Sequence, residues 1–175
     1  MAFKFYHAVP TDRTTPDSLV FCHNLTLNNG ELIAESYKRI PGSGHLNHGF
    51  QSLYEMFNVE KEKEECFESI RGRLCPHRPS RLGSIFLFDD RTKAEECNLQ
   101  WWQGSRSILE AEIVEGTFGR FDGKHLDSRR QNWQTAALMY WKGMRSDSPR
   151  IEVVVQGIVQ LHGFEQFAAR LKSND

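Results

Sequence analysis

"RPSRLGSIFLFDD", residues 78–90, sets two arginines and two serines directly before an apolar run and two aspartates directly after it. Ile85, Phe86, Leu87 and Phe88 follow one another, a short run apolar on both faces, which favours a central strand. Asp89 or Asp90 can then cap a helix over "DRTKAEECNLQWW", because a carboxylate accepts the free amides of a first helical turn. The unit is strand, tight turn, helix. Two readings of it stay open from sequence: an ordinary buried strand with a polar entrance, or a strand that delivers anion-binding groups to the mouth of a pocket.

Toward the C-terminus, "SRSILEAEIVEG" alternates as a strand does, and "TFGRFDGKHLDSRRQN" reads as a polar loop with two glycines. "WQTAALMYWKGM" predicts a helix carried by Trp133, Ala137, Tyr140 and Trp141 and stopped at Gly143. "RIEVVVQGIVQLHGF" is the plainest strand of the chain, with Gly157 marking a bulge or bend, and a last amphipathic helix carries Phe164, Phe167 and Leu171. Toward the N-terminus, "FKFYHAVP" sets Phe3, Phe5 and His7 on one side against Lys4 and Tyr6 on the other, a first strand ended by Pro10. Asn28-Asn29-Gly30 signals a turn, "GELIAESYKRI" is a short helix or a strand, and residues 41–49 have the composition of a loop. From Phe50 to Arg73, the spacing of Phe50, Leu53, Tyr54, Phe57, Cys66, Phe67 and Ile70 predicts one or two amphipathic helices. The charge run "EKEKEE" reads as their solvated face.

Strands and helices are mixed without a steady βαβα rhythm, so the fold class is α+β, with mixed or antiparallel central sheets and flanking helices. At 175 residues the chain is long enough for one sizeable core and too short for two comfortable domains, so residues 1–175 are expected to form a single globular domain. Phe5, Phe57, Ile85, Leu87, Ile113, Leu138, Val153, Val155 and Ile158 are the expected core. A formal charge of −1 leaves no global field to draw the protein onto nucleic acid or an anionic membrane. No signal-peptide pattern or span-length apolar run is visible, so a soluble, cytoplasmic protein without a membrane partner is expected. Cys22, Cys66, Cys75 and Cys97 are scattered, which argues against a disulfide framework. Cys75-Pro-His77 with Cys22-His23 lacks the fixed spacing of a zinc site, and no metal is expected.

No phosphate-binding loop, dinucleotide fingerprint, zinc-protease helix or nucleophile elbow is present. What remains are polar residues where strands should begin or end. His7 closes an apolar strand, where it either serves a ligand or hydrogen-bonds a neighbouring loop. Between Arg71 and Leu82 stand Arg71, Arg73, His77, Arg78 and Arg81 with no acid. An arginine fork suits paired phosphate oxygens, and the competing reading is a basic helix end that complements its dipole. Ser80 and Ser84 flank this window as small donors or as turn residues. Glu152, at the start of an apolar strand, must find a partner or face a cavity unless it is merely an exposed strand end. Tyr140-Trp141 offers an aromatic surface for a planar heterocycle or for the core. An arginine, a carboxylate, a histidine and aromatics together fit a nucleotide-shaped ligand.

"FYHAV" on a first strand, "SRLGSIFLF" followed by a helix with Ala94, a helix ending "YWKG" and a late strand opening with Glu152 resemble the ADP-ribosyltransferase fold in order and content. The likeness is to small bacterial and phage proteins of this order and, more distantly, to DNA-targeting ADP-ribosyltransferase toxins and RNA 2′-phosphotransferases. The resemblance implies that NAD is the substrate, with His7 on the adenosine ribose and Phe86 or Phe88 stacking near nicotinamide. It implies Glu152 on the nicotinamide ribose, Arg81 and Ser84 holding phosphate or ribose groups, and Tyr140 beside the cofactor. A fixed carboxylate there would stabilise the oxocarbenium charge that develops as the nicotinamide bond breaks. In the second motif Phe stands where the histidine-type branch of that fold usually has Tyr, and Arg150 stands two before Glu152 where arginine-modifying transferases carry a glutamate.

Three functions follow as expectations. The first is an NAD-dependent mono-ADP-ribosyltransferase of toxin, effector or phage-defence type, acting on nucleic acid or protein. The second is a nucleotide or nucleic-acid binding module without turnover, resting on the basic window and on Arg120, Lys124, His125, Arg129 and Arg130 among Phe118, Phe121 and Trp133. The third is a protein-interaction domain whose polar strand ends are only local hydrogen-bonding devices.

Overall fold

The computed structural model describes residues 4–10, 25–28, 31–35 and 61–173. The described chain is α+β. Its strands are β1 (Phe5–Pro10), β2 (Leu25–Asn28), β3 (Glu31–Glu35), β4 (Ile85–Leu87), β5 (Arg106–Asp122) and β6 (Ile151–His162). Its helices are α1 (Lys61–Leu74), α2 (Arg91–Trp102), α3 (Trp133–Trp141) and α4 (Phe164–Ser173), with two short 3-10 turns at Gly123–Asp127 and Arg130–Asn132. The strands form an antiparallel sheet in the order β1-β5-β6-β3-β2, and β4 pairs with β6 off that path. No helix among the described residues is long and apolar enough to cross a membrane.

The described residues of 1–35, 87–116 and 157–175 make one compact unit, and those of 36–86 and 117–156 make a second. In the first, β1 runs antiparallel to β5 from Phe5 opposite Ala111 to Pro10 opposite Arg106. β2 and β3 pair antiparallel with Asn28 opposite Glu31, and β3 pairs with β6 from Leu32 opposite Leu161 to Glu35 opposite Ile158. "GELIAESYKRI" therefore begins as a strand, because Leu32 and Ala34 alternate onto the buried face. Asp90 caps α2 by accepting the Lys93 N–H at 2.8 Å, as its position after the apolar run anticipates. The Asn98 amide closes the far end of the helix onto β5, donating to Arg106 O at 2.7 Å and accepting from Arg106 N at 3.1 Å.

Gly157 is where β6 needs a glycine. A Cβ there would collide with the backbone carbonyl of Glu115 and stand 2.7 Å from the Gly116 Cα, so two chains approach closer than any side chain allows. The bend read from sequence at this residue is thus a close approach of backbone to backbone.

In the second unit, α1 and α3 close over the end of β5 and the start of β6. Phe67, Ile70, Phe121, Leu126, Ala137, Tyr140, Trp141 and Val154 form its core. Trp141 donates its indole N–H to Phe67 O at 2.7 Å, which fixes α3 against α1. α3 stops where the sequence says it should: Gly143 has φ +71° and its N–H returns to Tyr140 O at 2.9 Å.

Two expectations fail in this unit. Thr117–Asp122, read as polar loop, continues β5, with Thr117 and Phe118 exposed, Arg120 half-buried, and Gly119, Phe121 and Asp122 buried. The run "EKEKEE" is only partly solvated: Lys63 and Glu64 are buried, as is Glu68 one turn on. Lys63 reaches the carbonyl of Leu126 at 2.6 Å, and the two carboxylates meet partners far along the chain. Of the expected core, Phe5, Ile85, Leu87, Val153 and Val155 are buried, whereas Ile113, Leu138 and Ile158 are half-buried. Phe50, Leu53, Tyr54, Phe57, the 41–49 loop, Cys22 and His23 lie outside the described residues.

Candidate functional site

The site begins with helical spacing. Glu64, Phe67, Glu68 and Arg71 recur at i, i+3, i+4 and i+7, so α1 presents them on one face, toward the core. After α1 the chain turns through Cys75–Gly83 and returns Ser80 and Arg81 to that face. Arg71 clasps Glu68 at 2.9 and 2.7 Å, and its NH1 also donates to the carbonyls of Pro76 at 3.1 Å and Arg78 at 3.0 Å. Ser80 donates its hydroxyl to Glu68 at 2.8 Å and its N–H to the Gln156 Oε1 at 3.2 Å. The turn is thereby locked before Arg81 leaves it.

Arg81 is 2% exposed, a fully buried guanidinium. Its Nε and NH2 hold the two oxygens of Glu64, each at 2.9 Å, in the parallel two-bond geometry that suits a guanidinium. NH1 donates to the Tyr140 hydroxyl at 2.8 Å and to Glu152 Oε1. The Tyr140 hydroxyl in turn donates to the same oxygen of Glu152. Phe86 and Tyr140 line the guanidinium, with ring centroids 5.0 and 5.3 Å from its central carbon. Burial lowers the Arg81 pKa, and the neighbouring Glu152 and Glu64 more than reverse that, leaving it well above its ordinary value. Burial drives the Tyr140 pKa well above its ordinary value, so the phenol keeps its proton to donate.

Glu152 is held differently from Glu64. One oxygen, Oε1, takes both bonds, and Oε2 has no hydrogen bond among the described residues. Its side chain is 14% exposed against 3% for Glu64. With both carboxylates ionised, one guanidinium faces two negative charges, and the surplus lies at the more open carboxylate. Such a group can accept a hydroxyl proton at Oε2 and favour positive charge developing nearby.

A second buried carboxylate sets where β6 begins. Asp122 accepts from Lys124 N and Arg150 N, both at 2.9 Å, and from the N–H and hydroxyl of Ser146 at 2.7 and 2.6 Å. Burial alone would raise its pKa, but these four bonds outweigh it and hold the pKa below the ordinary value. Gly123 N–H also bonds Arg150 O at 2.8 Å, so both backbone polar groups of the residue two before Glu152 are pinned. Arg150 itself turns to Asp127, at 2.9 and 3.2 Å.

The structure brings Arg81, Tyr140, Phe86 and Glu152 together in the second unit. Ser84 lies in the same unit, buried, with its hydroxyl donating to Ser80 O. His7 belongs to the first unit, on β1 opposite Leu109, and is 9% exposed. Sequence reasoning missed Glu64 and Asp122. Glu64 is legible in principle, since it shares the helical face of Phe67; Asp122 carries no local signal.

These features define an α+β protein whose candidate site is a part-exposed carboxylate fixed by a buried arginine and a phenol. The chain belongs to the family described as "Protein of unknown function (DUF2441)", which matches residues 26–166. No curated protein matches it.

Proposed function

We propose that this protein is an NAD-dependent mono-ADP-ribosyltransferase, with an ADP-ribosyltransferase-like fold, that modifies a nucleic acid or a protein. The observation that carries the reading is Glu152, with one oxygen tied to Arg81 and Tyr140 and the other open. Oε2 accepts a ribose hydroxyl of the nicotinamide half. As the bond from ribose C1′ to nicotinamide nitrogen breaks, its electron pair leaves with nicotinamide, and the surplus negative charge of the site stabilises the oxocarbenium left behind. A nucleophile of the acceptor then bonds C1′ and loses its proton. Phe86 supplies aromatic surface. Arg81, which gives four of its five N–H donors to carboxylates and phenol, serves here as the positioning residue of Glu152, and the Ser84 hydroxyl shapes the turn that delivers it.

The test is release of nicotinamide from NAD, with transfer of adenylate label to protein or nucleic acid, in the wild type and in Glu152→Gln. Release should fall at least about a hundredfold in the variant, the scale of losing one electrostatic stabiliser. Full activity in Glu152→Gln would overturn the mechanism. Tight binding of NAD without release in the wild type would favour the nucleotide-binding module over the enzyme.

A further inference from the structure

The basic window has one arginine left to assign. Arg71 is spent on Glu68 and two carbonyls, and Arg81 on Glu64, Tyr140 and Glu152. Arg73 is exposed on the last turn of α1. Arg78 differs from all three. Its main chain is anchored, with N–H donating to Cys75 O at 2.9 Å and O accepting from Arg71 NH1 at 3.0 Å. Its side chain is half-buried over Phe121, the guanidinium carbon 5.8 Å from the ring centroid, and its buried Nε has no hydrogen-bond partner. No carboxylate stands against it among the described residues.

A half-buried cation left without an anion loses hydration and gains only a ring contact, so it calls for an explanation outside the protein's own groups. The position supplies one. Phe121 stacks on Tyr140 with centroids 4.8 Å apart and 20° between planes, and the Tyr140 hydroxyl bonds Glu152. Arg78 and Glu152 are therefore joined through one aromatic pair within one unit. We infer that Arg78 is the anion-binding residue of this site and takes a phosphate ester, the diphosphate of a dinucleotide under the function proposed above, on which that last assignment rests. The guanidinium offers paired donors to adjacent phosphate oxygens, and its anchored backbone delivers it from a fixed point. Arg81, often the more tempting residue by sequence, is left to orient the carboxylate.

Calorimetric titrations with inorganic pyrophosphate, ADP-ribose and nicotinamide riboside test this in the wild type, Arg78→Ala, Arg78→Gln and the exposed control Arg73→Ala. Pyrophosphate and ADP-ribose should bind the wild type and Arg73→Ala alike and lose at least about tenfold in affinity in both Arg78 variants, consistent with removing a charged hydrogen-bond pair. Arg78→Gln keeps most of the stem over Phe121, so it serves where Arg78→Ala unfolds. Affinity within twofold of the wild type in Arg78→Gln, or no binding of either anion to the wild type, would overturn the assignment. The two readings fail separately. Anion binding that depends on Arg78 without nicotinamide release keeps the site and removes the enzyme; nicotinamide release with an unchanged KM for NAD in Arg78→Gln keeps the enzyme and removes the site.

Discussion

The two units differ in buried charge: Lys63, Glu64, Glu68, Arg81 and Asp122 all lie in the second unit, which carries exposed pairs such as Arg130 with Glu62 as well. In the first, Lys4 pairs with Glu110, Arg91 with Glu95 and Lys93 with Glu96, and every one of these side chains is more than a third exposed. In the second, Arg81 and Glu64 are almost wholly buried, Glu152 is half-buried, and Asp122 has no exposed surface. Exposed pairs are screened and contribute little, whereas a buried pair costs desolvation that its geometry must offset. A fold seeking only stability would have no use for the second arrangement. Its presence around a carboxylate with one open oxygen is the physical reason to look for function in the second unit.

The sharpest way to break the contrast is Arg81→Met. Glu64 and Glu152 would remain inside without their cation, and stability should fall by about 3–5 kcal/mol in urea denaturation. The double variant Glu64→Met, Arg81→Met should recover part of that loss, because it removes the stranded charge along with its partner. A single variant as stable as the wild type would mean that the network is not buried in solution.

Asp122→Asn comes next, with an expected cost of about 1–3 kcal/mol, since an amide cannot accept all four bonds that the carboxylate accepts. Its pH dependence sharpens the comparison. The folded pKa of Asp122 lies below the unfolded value of about 3.9, so its contribution is fully present above that value and is lost as pH falls through the folded pKa. Wild-type urea midpoints should therefore drop on acidification below about pH 4, and the drop should be shallower in Asp122→Asn. Equal slopes would remove Asp122 from the account.

The first unit predicts smaller effects. Asp90→Ala should cost about 1 kcal/mol through loss of the α2 cap. Lys93→Ala, which cuts an exposed pair on the same helix, should leave the urea midpoint unchanged within error. A larger loss from Lys93 than from Asp90 would reverse the stated contrast.

What could be read from sequence divides along the same line. The α2 cap and the end of α3 at Gly143 are set by neighbours in the chain, so local pattern reveals them, whereas Gly157 reads only as a bulge or bend because the Glu115 and Gly116 backbone it meets lies far earlier in the chain. The burial of Glu64 and Glu68 depends on Arg81 and Ser80, 17 and 12 residues away, and a run of charges looks solvated until such partners are known. Asp122 is harder still, because its donors at Ser146 and Arg150 lie 24 and 28 residues ahead. Thr117–Asp122 looked like a loop because glycine and charge outweighed a short alternation. The arginine window was recognisable as a unit, but its division into Arg71 and Arg81, committed to carboxylates, and Arg78, left over, required the geometry.

The wide spacing of the ionic group along the chain also orders its assembly on the ribosome. Arg81 follows Glu64 by 17 residues, whereas Glu152 follows Arg81 by 71. At about 5–20 residues per second, Glu152 is added some 4 to 14 s after Arg81. A nascent chain can thus neutralise its buried cation with Glu64 long before the reactive carboxylate exists. The charge surplus that marks the finished site is the last part of it to be synthesised.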